Sequence, residues 1–332
     1  MTSLVPLDVC LAQATQNLMP VPPERLGLAE AIGFVLAADI VLPRDLPAQS
    51  QALRAGVAVA ALDVMGASPQ LPLPISRALR VQPGQAMPLG TDAVLPDDGV
   101  DWSAPLPHAV CPINPGEAIR RAGHDGRAGQ ILALAGDRFG PKFAFLAAEA
   151  GIESVLVRRP RVQIALENSA QADFIARWVV RFGAIITTEA PHIFLRAGQD
   201  HAPRIALCPG ETAWLHSNDG VVVLDVPPRF DGMIAAFLVL CLPVLRALTG
   251  VTHGFSTRPL LRKAVSAPGV SDLVLLAPHA GGWNPMAPGT ITLTALAEAR
   301  AFAILPPETE GLPAGALLAA QFLDPDLNAD AS

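Results

Sequence analysis

After Arg161, short apolar runs alternate with a helical period, and this alternation restricts the possible folds more than any other feature of the chain. Val162–Leu166 reads as a strand, residues 170–182 as a helix stopped by Gly183, and Ile185–Thr187 as the next strand. Further strands are expected at Ile193–Leu195, Ile205–Leu207 and Val221–Leu224, followed by a helix over Asp231–Leu248. Strand–helix–strand order implies a parallel sheet covered by helices. The most apolar run, Met233–Leu245, is about a dozen residues long and contains Pro243. It is short for the roughly 30 Å of a bilayer core and reads as a buried helix.

The stretch from Cys111 to Val162 leads into this sheet. Asn114-Pro115-Gly116 is a turn, and residues 120–126 form a compact glycine-rich loop bearing Arg120 and Arg121, with Arg127 beside it. Such a loop can hold an anion through guanidinium forks and close backbone approach. The same composition suits a solvated hairpin whose arginines face water. Gly140-Pro141 opens a helix with Phe143, Leu146, Ala147 and Ala150 on one face, Gly151 closes it, and Ser154–Val157 is a strand.

Toward the N-terminus, helices are expected over residues 7–18 and 28–36, separated by Pro20, Pro22 and Pro23. From Ile40 to Trp102 short apolar runs alternate with Pro, Gly and Ser, the composition of a small β domain. Residues 252–322 turn again to short strands at Leu273–Leu276, Ile291–Leu293, Phe302–Leu305 and Leu317–Leu323, as in a small barrel or sandwich. At 332 residues, 51% hydrophobic and 16% charged, the chain has material for several cores. A net charge of −7 argues against a nucleic-acid surface. Cys10, Cys111, Cys208 and Cys241 have no metal-ligand spacing and read as free thiols of a reducing compartment. No basic start followed by an apolar run precedes Asp8, so a signal peptide is not expected.

Four segments carry a resemblance. LAEAIGFVLAADIVLPRDLP (28–47), GEAIRRAGHDGRAGQIL, AGDRFGPKFAFLAAEAGIESVLVRRPRV and LAEARAFAILPPETEGLPAGALL (296–318) resemble, in this order, the molybdopterin molybdenumtransferase family, the bacterial MoeA proteins and the E domain of gephyrin. The likeness spans nearly the whole chain, and its motifs are specific as a set. It implies an α/β multidomain fold. Residues 1–44 with 108–160 would form the N-terminal helical and linker domain, and 45–107 an inserted small β domain. Residues 161–250 would form a shortened, MogA-like, parallel-sheet molybdopterin-binding domain, and 251–325 a C-terminal small β barrel. The resemblance also implies molybdate insertion into adenylylated molybdopterin with a divalent metal, in a cytoplasmic homodimer.

The family's site motifs are altered. Its Asn-Ser-Ala-Met-Asp-Gly-Tyr-Ala run falls on residues 49–58, where Arg54 stands at the acidic position and the chain has no tyrosine at all. Its Thr-Gly-Ala-Pro turn is deleted, so that Pro83-Gly84-Gln85-Ala86 runs almost directly into Gly90-Thr91-Asp92. Asp125 matches the family's Gly-Glu-Asp loop and is one catalytic candidate, although an Asp there can equally bond its own turn. Glu167, in the Ser-Thr-Gly-Asp-Glu-Leu equivalent, is the other, with Asn168 or Ser169 as helix N-cap. The Gly-Gly-Val-Ser-Gly loop is reduced to residues 194–198, the Pro-Gly-Asn-Pro turn becomes residues 227–231, and Glu211 follows Pro209-Gly210 where the family has lysine.

Candidate ligand-binding residues are therefore Arg54, Arg120, Arg121, Arg196, Pro209, Gly210, Pro227 and Arg229, against ordinary surface charge for the arginines. No metal ligand is assigned. The expectation is a molybdenum-cofactor biosynthesis protein that takes molybdopterin or molybdenum cofactor as ligand, with reduced or lost catalysis. Magnesium would be needed only for residual turnover. The alternative is a non-catalytic molybdopterin-binding or assembly module serving a molybdoenzyme or another cofactor-biosynthesis protein, with no nucleic acid or membrane as partner. A relocated site at His192, Asp200 and His201 competes with their being loop residues.

Overall fold

Val162, Ile193, Leu195, Val222 and Leu224 are all fully buried, as strands covered on both faces require. In the computed structural model, which describes residues 4–198, 203–251 and 254–325, these positions lie in a five-stranded sheet. Its order is Ile185–Ile186, Arg161–Ala165, Ile193–Ala197, Val221–Val226 and Trp214–Asn218. The first four strands are parallel and the last is antiparallel. Trp214–Asn218 is an addition to the sequence reading, and it edges the sheet as a hairpin through Asp219-Gly220.

This sheet belongs to the first of two units, comprising Met1–Asp39, Leu134–Phe145 and Glu153–Ser332. The helix Ser169–Arg181 begins as expected at Asn168, whose Oδ1 accepts the amides of Ala170 and Gln171 at 3.0 and 3.1 Å. Gly183 ends the turn after it at φ +84°, and a Cβ there would meet Gly33 O at 3.1 Å.

The helical segment Phe230–Thr249 is 20 residues long, more than the apolar run alone suggests, and long enough by composition to cross a membrane. Its most apolar window is 83% buried inside the protein, which accounts for its hydropathy. Residues 237–241 form a π turn in which Leu242 N donates to Phe237 O, accommodating a ladder that Pro243 cannot complete. Phe237 meets the rings of Trp178 and Phe182 at 5.2 and 6.0 Å, fixing the two helices together.

Two sequence expectations need correction within this unit. Residues 28–36 are not one helix: Leu28–Ala31 is helical, Gly33 turns at φ +97°, and Val35–Leu36 pairs with Ser154–Arg158. A glycine inside an apparent helical period was the break. Ile291–Leu293 is not a strand. Thr292 Oγ1 caps the helix Leu293–Glu298 by accepting the amide of Ala295 at 3.1 Å.

The strand near Ile205 forms at Leu207–Cys208 and pairs in parallel with Ser271–His279, so it joins the C-terminal sheet instead of the central one. That sheet continues through Ala301–Leu305, Leu317–Phe322 and Phe255–Pro259.

The second unit, Ile40–Ala133 with Leu146–Ile152, is built of short strands. Gly56–Val59 lies between Leu79–Val81 and Ala93–Leu95, and Val57, Ala93 and Leu95 are fully buried. Gly56 permits a close approach, since a Cβ there would lie 2.2 Å from Leu95 O.

Candidate functional site

In parallel α/β sheets ligands bind beyond the carboxyl ends of the strands. Here that end opens on a cavity of about 560 Å³. Gly198 follows the strand Ile193–Ala197, Pro227-Pro228-Arg229 follows Val221–Val226, and Asp231 lies in the first turn of the long helix. The opposite wall is Cys208-Pro209-Gly210-Glu211, with a cis Cys208–Pro209 bond and Gly210 at φ +120°. Four sequence-derived binding candidates, Pro209, Gly210, Pro227 and Arg229, thus line one cavity.

Its charge is balanced: Arg204 and Arg229 face Glu211 and Asp231. Arg229 Nη2 donates to Asp231 Oδ2 at 2.5 Å, and Gly232 N donates to Asp231 Oδ1 at 2.8 Å. The Asp231 carboxylate therefore occupies the helix N-terminus, the place where an external anion would gain most from backbone amides and dipole. Pro227 and Pro228 offer no N–H to a phosphate. Cys208 is a poor nucleophile because burial, then the carboxylates of Asp272, Glu211 and Asp231, push its thiol up. Sequence reading missed Arg204 and Cys208 as cavity residues, since neither lies in a recognisable motif.

Arg196, one residue before the cavity strand ends, is turned to the sheet: its Nε donates to Asp225 Oδ1 at 2.6 Å, and Asp225 is 3% exposed. It neutralises a buried carboxylate. Glu167 is exposed in the turn before the helix Ser169–Arg181. His192 accepts the Arg161 amide at Nδ1, 2.9 Å away, and burial pushes its pKa down. It closes a turn. Asp200 and His201 lie outside the described residues.

The remaining candidates belong to the second unit. Every amide from Ala122 to Ala128 is already committed. Ala122 donates to Ser50 Oγ, Gly123 to Pro47 O, His124 to Arg121 O, and Asp125 and Gly126 to Leu46 O. Arg127 donates to Gln130 Oε1 and Ala128 to Asp45 Oδ1. Any anion held by this loop is held by side chains.

Asp125 does not fold back on its own turn but pairs with Arg120 Nη2 at 2.7 Å. Arg121 packs over Gly116, where a Cβ would meet its guanidinium at 2.7 Å. Arg54 donates through Nε and Nη2 to Val94 O at 3.2 and 2.7 Å, with Glu117 3.7 Å away. It is a brace on a strand carbonyl.

A divalent cation of the kind the resemblance implies takes about six oxygen ligands. Among the described residues no group of three or more His, Cys, Asp or Glu side chains could hold one. Asp125 and Asp231 each accept from an arginine. The donor set does not fit such an ion.

Residues 5–151 match the MoeA N-terminal region (domain I and II). Molybdopterin molybdenumtransferase 2 of Mycobacterium tuberculosis is 33% identical over 173 residues, covering 45% of this chain and 42% of that protein. The Synechococcus elongatus molybdopterin molybdenumtransferase is 31% identical over 165 residues, covering 44% and 40%. The chain thus matches about two fifths of the length of these curated relatives. In structure, the molybdopterin biosynthesis moeA protein of Pyrococcus horikoshii superposes with a TM-score of 0.71 at 19% identity, covering 96% of this chain and 100% of that one. At that identity the likeness speaks for the fold.

Proposed function

We propose that the chain is a member of the MoeA family, whose N-terminal region matches residues 5–151 and whose fold is shared through nearly the whole length, and that it serves molybdenum-cofactor biosynthesis by holding molybdopterin, with molybdate insertion reduced or lost. The observation that carries this reading is the Asp231 carboxylate at the helix N-terminus of the strand-end cavity. A fixed negative charge, seconded by Glu211, opposes a phosphate where the implied reaction needs one gripped. Losing one transition-state donor typically costs about 10²–10³ in rate, and parts acting together fail together.

In this reading the four-part domain layout holds, the protein is a cytoplasmic homodimer, and magnesium matters only to residual turnover. Arg229, Pro209, Gly210 and Pro227 contact the ligand. Glu167 has no catalytic task. The second reading, a non-catalytic module that delivers cofactor to a molybdoenzyme or another cofactor-biosynthesis protein, is supported by the cavity, which remains about 560 Å³ despite its altered lining.

The test is to supply the purified protein with adenylylated molybdopterin, molybdate and magnesium, reading product by activation of an apo-molybdoenzyme. Molybdopterin retention is followed in parallel by equilibrium dialysis. Retention without product is expected. Sustained product formation would overturn the loss of catalysis, and absence of retention would overturn the binding role.

A further inference from the structure

The strand-end cavity has a buried carboxylate behind its wall. Asp272 is 5% exposed and, among the described residues, makes no ion pair. A buried charge without a cation is costly. Its Oδ2 accepts from Ser266 Oγ at 2.7 Å and from the Ala267 amide at 3.2 Å. An asparagine oxygen could receive both bonds, so neither requires the charge.

The other oxygen lies beside Cys208. The strand Leu207–Cys208 runs parallel to Ser271–His279, with Cys208 in register with Asp272. Gly289, at φ +70°, closes the group: a Cβ there would lie 2.9 Å from Asp272 Oδ1 and 3.2 Å from Cys208 Sγ. The carboxylate and the sulfur thus converge on a position that glycine leaves open. The Cys208 thiol donates to Gly289 O at 3.4 Å. Cys208 and Gly289 both line the cavity, and Asp272 stands behind them.

A thiol in a ligand-binding wall is open to alkylation and oxidation according to its thiolate fraction. A neighbouring carboxylate suppresses that fraction, because like charges repel. Burial acts first on this thiol, then Asp272, with Glu211 and Asp231 behind them.

We propose that Asp272 is a positioning residue of the strand-end cavity, taken as the ligand site proposed above: it keeps the Cys208 side chain protonated and bonded to the Gly289 carbonyl, so that the wall meets its ligand with an unreactive sulfur.

Iodoacetamide labelling of Cys208 in the full-length protein, read by peptide mass across a pH series, tests this. In the unmutated protein the labelling midpoint is expected above the ordinary thiol value of 9.0. Asp272→Asn should move the profile about one unit toward acid, which is about tenfold faster labelling at a fixed pH below the midpoint, with the denaturant midpoint unchanged or higher. Ser266→Ala, which removes a bond to the same carboxylate but no charge, should leave the profile in place. After brief labelling, molybdopterin retention in equilibrium dialysis should survive in the unmutated protein and be lost in Asp272→Asn. An unmutated midpoint at or below the ordinary value, an unmoved profile in Asp272→Asn, or an equal shift in Ser266→Ala would each overturn the role. Labelling needs no ligand, so absence of retention before labelling would overturn the binding role of the cavity while the profile still decides the control of Cys208.

Discussion

Arg229 and Asp231, two residues apart, form an ion pair of 2.5 Å across the first turn of the long helix, with the Asp231 side chain 11% exposed and that of Arg229 83% exposed. The carboxylate is thus fixed inside the cavity wall while its partner reaches into solvent. The pair leaves an internal anion at the position an incoming phosphate would take.

Removing that charge while keeping an acceptor for Gly232 should favour anions. Asp231→Asn is expected to tighten inorganic pyrophosphate binding about tenfold at low ionic strength, measured by titration calorimetry, since tenfold corresponds to about 1.4 kcal/mol. Glu211→Lys should act in the same direction. Unchanged affinity in both variants would show that these carboxylates do not set the cavity's preference.

Arg54 stands where the resembling family has an acid, and its guanidinium grips Val94 O. Arg54→Met should destabilise the second unit by about 1–3 kcal/mol in denaturant unfolding, the usual cost of orphaning a partly buried polar group. Arg54→Asp should be no better, because an anion cannot donate to a carbonyl. A stable, active Arg54→Asp protein would refute the bracing role.

Gly56 passes Leu95 O so closely that a methyl group has nowhere to go. Gly56→Ala is expected to cost about 3 kcal/mol or to open the pairing of Gly56–Val59 with Ala93–Leu95, by analogy with overpacked cores. Amide hydrogen exchange at Val57, which is paired with Leu95, would report which outcome occurs.

His192 must be neutral at Nδ1 to accept the Arg161 amide, and burial depresses its pKa below the usual histidine value near 6.5. Its contribution is complete above that value and is lost as pH falls through the lowered folded-state pKa, since the unfolded chain takes up the proton first. Stability should therefore decline on acidification below about pH 6.5. The decline should be shallower in His192→Asn, in paired unfolding curves. Parallel slopes would discount the histidine.

Much of the scaffold is visible in residue patterns. The parallel strands announce themselves as continuous apolar runs, Asn168 as a cap, and Gly183 as a stop, because each depends on local chemistry. Val35–Leu36 and Leu293–Glu298 are misread because pairing with Ser154–Arg158 and capping by Thr292 outweigh short apolar patterns.

The candidate site is legible only in part. Pro209, Gly210, Pro227 and Arg229 do share a cavity. That Arg196 serves Asp225, and Arg54 serves Val94, depends on cross-strand geometry over intervals of 29 and 40 residues. No periodicity carries such information.

The saturation of the amides from Ala122 to Ala128 has a consequence for how this loop can change. Its shape is guaranteed by bonds to Asp45, Leu46, Pro47, Ser50 and its own neighbours, so its outward-facing chemistry can be exchanged without reshaping the loop. Swapping Arg121, His124 or Arg127 would alter what the surface greets while leaving its contour intact, which makes the loop a ready graft site for redirecting affinity in engineered versions.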